Sequence, residues 1–157
     1  MKKLLLIIAV SLFTQFTIFG QSPSVGVQYV VPTGTAADLF DSGYGVTGAT
    51  NYSILPLLLD LKIEGSWRFL KGKEIFVDEN LNVKNGEDFN IYGITVGPVL
   101  TLGILDAGVK AGYFFGDVSE WDVVPFAQVN FLMLSVGAEY KAIGDINWTA
   151  VYLNLNF

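Results

Sequence analysis

Eight charged side chains are spaced so that they could do chemistry together. Asp60, Lys62, Glu64 and Arg68 recur at even spacing in one segment, and Asp106 with Lys110 and Glu139 with Lys141 repeat the acid-and-base pattern further on. Even spacing puts each set on one face of a β-strand. Two carboxylates such as Asp60 and Glu64 could in principle divide acid and base duties, but the bases beside them point to ion pairing. The chain has no histidine and no cysteine, which removes the commonest general base, the commonest metal ligand and all thiolate chemistry. No glycine-rich phosphate loop is present; the glycines alternate with aromatics inside apolar segments. The expectation is a charge network, with no catalytic residue, cofactor or metal site.

A second acidic set lies between the periodic segments: Asp38 and Asp41, then Glu74, Asp78, Glu79, Glu87 and Asp88 partly offset by Lys71, Lys73 and Lys84, then Asp117, Glu120 and Asp122 in the stretch GDVSEWD. Clustered carboxylates can hold a divalent cation through oxygen ligands. No twelve-residue calcium-loop pattern occurs, so a solvated, repelling surface is the expectation. No nucleic-acid partner is expected of so acidic a chain.

The elements that must position these groups follow from a period of two. Trp148 to Phe157 reads WTAVYLNLNF, with Thr149, Val151, Leu153, Leu155 and Phe157 on one face and Trp148, Ala150, Tyr152, Asn154 and Asn156 on the other. Ten residues is the length a tilted strand needs to cross a bilayer. Similar alternation predicts strands over Val25 to Val31, from Tyr44 to Ile54, from Leu59 to Phe69, and from Phe89 to Leu102 with a bulge at Pro98. It continues over Asp106 to Phe115, Ala127 to Met133 and Val136 to Ala142. The fold class predicted is all-β: an eight-stranded antiparallel up-and-down transmembrane β-barrel closed by the terminal strand.

An eight-stranded barrel is wide enough only for its own side chains. The oily faces then meet lipid and the charged faces meet the lumen. Four acids (Asp60, Glu64, Asp106, Glu139) and four bases (Lys62, Arg68, Lys110, Lys141) predict a lumen of zero net charge, a polar plug with the excess negative charge left in the loops. Turns after the second, fourth and sixth strands are short, and the opposite connections are longer. Tyr44, Trp67, Phe69, Tyr92, Tyr113 and Phe115 fall toward the long-loop end and predict an outer interfacial girdle, with Tyr52 and Phe157 near the inner one. The segment of residues 71–88 carries Ile75, Phe76 and Val77 and an Asn85-Gly86 turn signal. It predicts a protruding hairpin that could take a surface partner.

Hydrophobic residues make up 52% of the 157 and charged residues 15%, an oily balance for one domain, yet no uninterrupted apolar run after residue 20 is long enough for a membrane helix. Lys2 and Lys3 precede an apolar stretch that ends near Gly20, so residues 1–20 are expected to be a signal peptide removed on export, leaving residues 21–157 as the barrel domain. The formal charge of −6 becomes about −8 without the two lysines.

GVQYVVPTG from Gly26, GYGVTGATNY from Gly43 and the closing AEYKAIGDINWTAVYLNLNF together resemble the small outer-membrane β-barrel family. They are similar to the eight-stranded, porin-like membrane domains of outer membrane proteins A and X. That resemblance implies a bacterial outer-membrane location among outer-membrane lipids, and roles in envelope integrity, adhesion or limited permeation. It also implies insertion by the outer-membrane barrel assembly machinery, which would read the terminal strand at Val151, Leu153, Leu155 and Phe157. Two other readings stay open at this point. One is a secreted lipocalin-like barrel with the oily face turned inward around an apolar ligand; the other is a small-solute porin.

Overall fold

The computed structural model describes residues 21–76, 83–141 and 146–157. The expected signal peptide, residues 1–20, lies outside them. Eight strands form a closed barrel in the order β1-β10-β9-β8-β7-β6-β3-β2, every neighbour antiparallel. They are β1 (Gln21–Thr33), β2 (Gly43–Leu55), β3 (Leu59–Leu70), β6 (Phe89–Leu102), β7 (Leu105–Gly116), β8 (Glu120–Phe131), β9 (Leu134–Lys141) and β10 (Asn147–Asn156). A separate two-stranded hairpin, β4 (Glu74–Phe76) with β5 (Val83–Asn85), stands in the long connection after β3. A one-turn helix, α1 (Ala36–Leu39), lies in the connection after β1.

The stagger follows from the pairing. From Gln28 the register leads through Gly45, Arg68 and Ile91 to Gly116 on β7; in the other direction it leads through Tyr152, Gly137 and Gln128 to Asp106 on the same strand. The two arrivals are ten residues apart. Eight strands with that stagger tilt by roughly 40° and leave an interior that side chains fill.

The faces fall as the alternation requires. Val25, Val27, Tyr29 and Val31 on β1 point outward, as do Val151, Leu153 and Leu155 on β10, whereas Gln28, Lys62, Glu64, Arg68, Lys110 and Glu139 are buried inside. The oily side is therefore the outer wall, the reverse of what a lipocalin-like ligand barrel needs. The long-loop half of the lumen is filled by an apolar cluster that includes Val30, Leu70, Ile91, Phe114 and Trp148, with Ala36 and Phe40 from the first connection packed onto it. Phe40 tilts against Phe89 at 4.7 Å between ring centroids.

The bulge expected at Pro98 is not there. Val96 pairs with Ala111 and Val99 with Gly108, an unbroken register in which Gly97 and Pro98 merely drop out of the β7 ladder, while Pro98 still pairs with Leu61 on β3. The missing N–H thus costs ladder contacts on one side only. Gly97 keeps β7 close, since a Cβ there would come within 1.9 Å of the Val109 carbonyl oxygen. Gly97→Val is accordingly expected to lower the unfolding free energy by about 2 kcal/mol, as overpacking does, and urea unfolding of the reconstituted barrel checks it. The irregularity in register sits instead between Ser53 and Leu55, beside the turn at Pro56.

Two further expectations change. Strand β8 begins at Glu120, not near Ala127, so much of GDVSEWD is strand; it ends at Phe131, with Leu132 and Met133 forming the turn. Asn85-Gly86 is not the hairpin tip but its base, where the Gly86 N–H donates to the Lys73 carbonyl at 2.9 Å. In the tight turns Leu57 and Leu132 adopt left-handed backbone, at φ 64° and φ 53°. Each position costs on the order of 1 kcal/mol that glycine would avoid.

Candidate functional site

The lumen holds the predicted charges, but in a different grouping. At mid-height five of them alternate in sign across the barrel. Arg68 from β3 donates to Glu139 on β9 at 2.7 Å, and Lys110 from β7 reaches the other Glu139 oxygen at 2.6 Å. Lys110 also meets Glu64 at 2.8 Å, and Lys62 meets the second Glu64 oxygen at 3.4 Å. Both oxygens of both carboxylates are thereby engaged, and all five side chains are buried. Burial of this kind holds only with pairing and added hydrogen bonds: Gln28 donates to Glu139, and the Ser66 hydroxyl accepts from Arg68.

Aromatic faces complete the packing. The Arg68 guanidinium lies 4.2 Å from the Trp148 ring centroid, and the Lys62 ammonium 4.9 Å from that of Phe126. Cations desolvated against rings recover from the quadrupole a part of what they lose in hydration. Alternation along the terminal strand already sets Trp148 and Tyr152 on the inner face, whereas Phe114 and Phe126 were not assigned there; for Phe114 the doubled aromatic Phe114-Phe115 was the available signal, since adjacent strand residues must face opposite ways.

Lys141 takes no part in that chain. It bonds Glu120 at 2.6 Å and Asp122 at 2.7 Å and donates to the Ile146 carbonyl at 2.8 Å. Both acids were expected in a solvated loop, and both instead face inward from β8. Asp106 also lacks a basic partner: its Oδ2 accepts from Gln128 at 3.0 Å and Asn130 at 2.7 Å. Ser135 and Asn156 extend this polar set toward the short turns. Asp60, half-buried at the same end, makes no ion pair among the described residues. Among those residues six inward carboxylates (Asp60, Glu64, Asp106, Glu120, Asp122 and Glu139) thus face four cations, a formal excess of two negative charges where zero was expected.

Lys141 bridges a gap in the wall. Among the described residues the β8–β9 ladder runs no further than Phe126 and Glu139, and Pro125 does not pair with Tyr140. Proline again withholds its donor. Above it, the contact of Lys141 with Glu120 and Asp122 joins the two strands through side chains where backbone pairing has lapsed.

The outer wall is the other candidate surface. All six predicted girdle residues face outward and meet one another: across neighbouring strands Tyr44 packs on Trp67 and Phe69, Tyr92 on Phe115 and Tyr113 on Trp121, and along β7 Tyr113 meets Phe115. Trp121, 74% exposed, is the member that the loop assignment hid. Below this belt the wall is aliphatic. Val151, Leu153 and Leu155 continue it on β10, and Phe157 closes the short-turn end, its N–H donating to the Pro23 carbonyl at 2.9 Å. Exposed apolar surface running right round a barrel far exceeds what an isolated chain in water carries and matches the band a bilayer covers.

Comparison with protein-family profiles gives no match, and neither does comparison with curated proteins. Among solved structures, a de novo designed transmembrane β-barrel is similar at a TM-score of 0.51 and 17% identity, over 87% of this chain and 95% of that one. Another is Ail, the attachment invasion locus protein of Yersinia pestis, solved in complex with the heparin analogue sucrose octasulfate; it gives a TM-score of 0.49 and 18% identity, over 87% and 97% of the two chains. The closed eight-stranded fold is that of the small transmembrane β-barrels.

Proposed function

We propose that the protein is a bacterial outer-membrane barrel with a closed lumen, exported by a signal peptide at residues 1–20, that serves the envelope through its external surface and not as a pore or an enzyme. The single observation that carries this is the buried chain from Arg68 through Glu139, Lys110 and Glu64 to Lys62, roofed by Trp148 and Phe114. Its three cations and two carboxylates are each engaged by a neighbour of opposite sign and leave no row of free groups for a passing solute. Residues engaged on both oxygens, as Glu139 is, are also poorly placed to take a proton from a substrate.

What remains for function is the outside: the acidic long loops, and the hairpin region of residues 71–88, which offers a surface partner a β-edge. Val151, Leu153, Leu155 and Phe157, all on the lipid side of β10, are where an assembly machinery would read the strand. Planar-bilayer recording of the purified barrel is expected to give no large, steady conductance; a stable wide-pore current would refute the closed lumen. The membrane assignment has its own check, since an unboiled sample should migrate differently from a boiled one on a denaturing gel and fractionate with outer membranes. Deleting residues 73–87 is expected to abolish any surface binding while leaving that mobility shift intact.

A further inference from the structure

The three short turns carry no polar side chain. Residues 54–59 read ILPLLL, residues 102–105 LGIL and residues 131–134 FLML, and their tips stand clear of the protein, with Leu57 92% and Leu132 102% exposed. Turns that face water draw on Asn, Asp, Ser and Gly. In two of the three turns leucine occupies even the left-handed position, at Leu57 and Leu132, where it gains nothing from water and strains the backbone; Gly103 holds that position in the third.

Strand geometry gives the depth of this rim. Tyr92 in the girdle and Leu102 in the rim are ten residues apart on β6, as are Tyr44 and Ile54 on β2 and Trp121 and Phe131 on β8. At ~3.3 Å per residue and a tilt of ~40°, ten residues descend roughly 25 Å, the height of the apolar band of such a barrel. With the girdle at the outer interface, the turn tips reach the inner edge of the hydrocarbon and go no further. The rim is also continuous with the aliphatic wall above it and free of charge, both of which select lipid as the occupant.

We propose that the short-turn rim is seated in the inner leaflet of the membrane, so that the barrel ends flush with the hydrocarbon boundary and its polar lower lumen, at Asp60, Asp106 and Asn130, opens among lipid headgroups. The proposal rests on the membrane reading above. The chain lacks cysteine, so single-cysteine variants can report depth directly. Leu57→Cys, Ile104→Cys and Leu132→Cys, with Val96→Cys as a wall control and Asp41→Cys as a loop control, would each carry an environment-sensitive fluorophore in phospholipid vesicles.

The rim labels are expected to emit in the blue, to be quenched by brominated lipid, and to resist aqueous iodide several-fold better than the label at position 41. Iodide-accessible rim labels beside a lipid-quenched label at position 96 would overturn the seated rim and leave the membrane reading standing. An iodide-accessible label at position 96 would overturn the membrane reading itself. Shielding of the rim that vanishes on dilution to one barrel per vesicle would mean a second copy covers it, and would equally overturn the proposal.

Discussion

Glu139→Ala is expected to destabilise the barrel by about 3–5 kcal/mol, the range for breaking a buried ion pair by removing one partner. Glu139 holds Arg68 at 2.7 Å and Lys110 at 2.6 Å through separate oxygens. Its loss leaves Arg68 with Glu64 only at 4.0 Å, beyond hydrogen-bond reach. Lys110 keeps Glu64 at 2.8 Å, so most of the penalty falls on the guanidinium. Glu139→Gln preserves shape and one of the two acceptor oxygens and should lose less. The double change Glu139→Ala with Arg68→Met should recover part of the loss, because the stranded cation is gone. Urea unfolding in vesicles, followed by the unboiled-to-boiled mobility shift, measures all three; an unchanged midpoint for Glu139→Ala would show that the charges are not coupled as described.

Lys141→Met has the second largest expected effect, and it should be local before it is global. Lys141 joins β9 to Glu120 and Asp122 beside the place where Pro125 has broken the ladder. Without the ammonium, Asp122 loses its cation in a buried position, and the outer ends of the two strands lose their side-chain clasp. A loss of about 3 kcal/mol is expected. Amides of residues 120–124 should exchange with solvent faster than those of β2 and β3, whose ladder is continuous over this depth. Lys141→Arg should restore much of the protection. Equal protection of residues 120–124 in Lys141→Met and the unaltered protein would sink the idea that this contact closes the wall.

Strands such as β3 were legible because every second residue is charged and the others are oily, so periodicity alone fixes their faces. The bounds of β6 match those read from the sequence without any charge to help, on the contrast of Tyr92, Ile94, Val96 and Leu100 with Gly93, Thr95 and Gly97. Strand β8 was half hidden: its inward face runs Glu120, Asp122, Val124, Phe126, Gln128, mixing acids with apolar residues that fill the roof of the lumen, so the contrast between faces fades. Two neighbouring acids then passed for a solvated loop. The zero sum of the lumen failed with that assignment. The pairing of individual charges could not be read at all, since it depends on a stagger of ten residues that brings Arg68 to Glu139 across the barrel. Pro98 misled in the other direction: a lost donor need not shift a register when glycine beside it lets the next strand stay close.

The pairing of β1 with β10, from Ser24 with Asn156 to Thr33 with Asn147, has a kinetic meaning. Folded chains usually begin to open by fraying at their ends. Here the two ends are zipped to each other, and parting them inside hydrocarbon would bare two rows of amides and carbonyls with no water to receive them, at several kcal/mol for each unsatisfied group. A cylinder so closed leaves neither β1 nor β10 an unpaired edge from which to unravel. In a bilayer, the lifetime of such a cylinder is expected to follow the rate of wholesale extraction, and its formation to require that the first strand find the last.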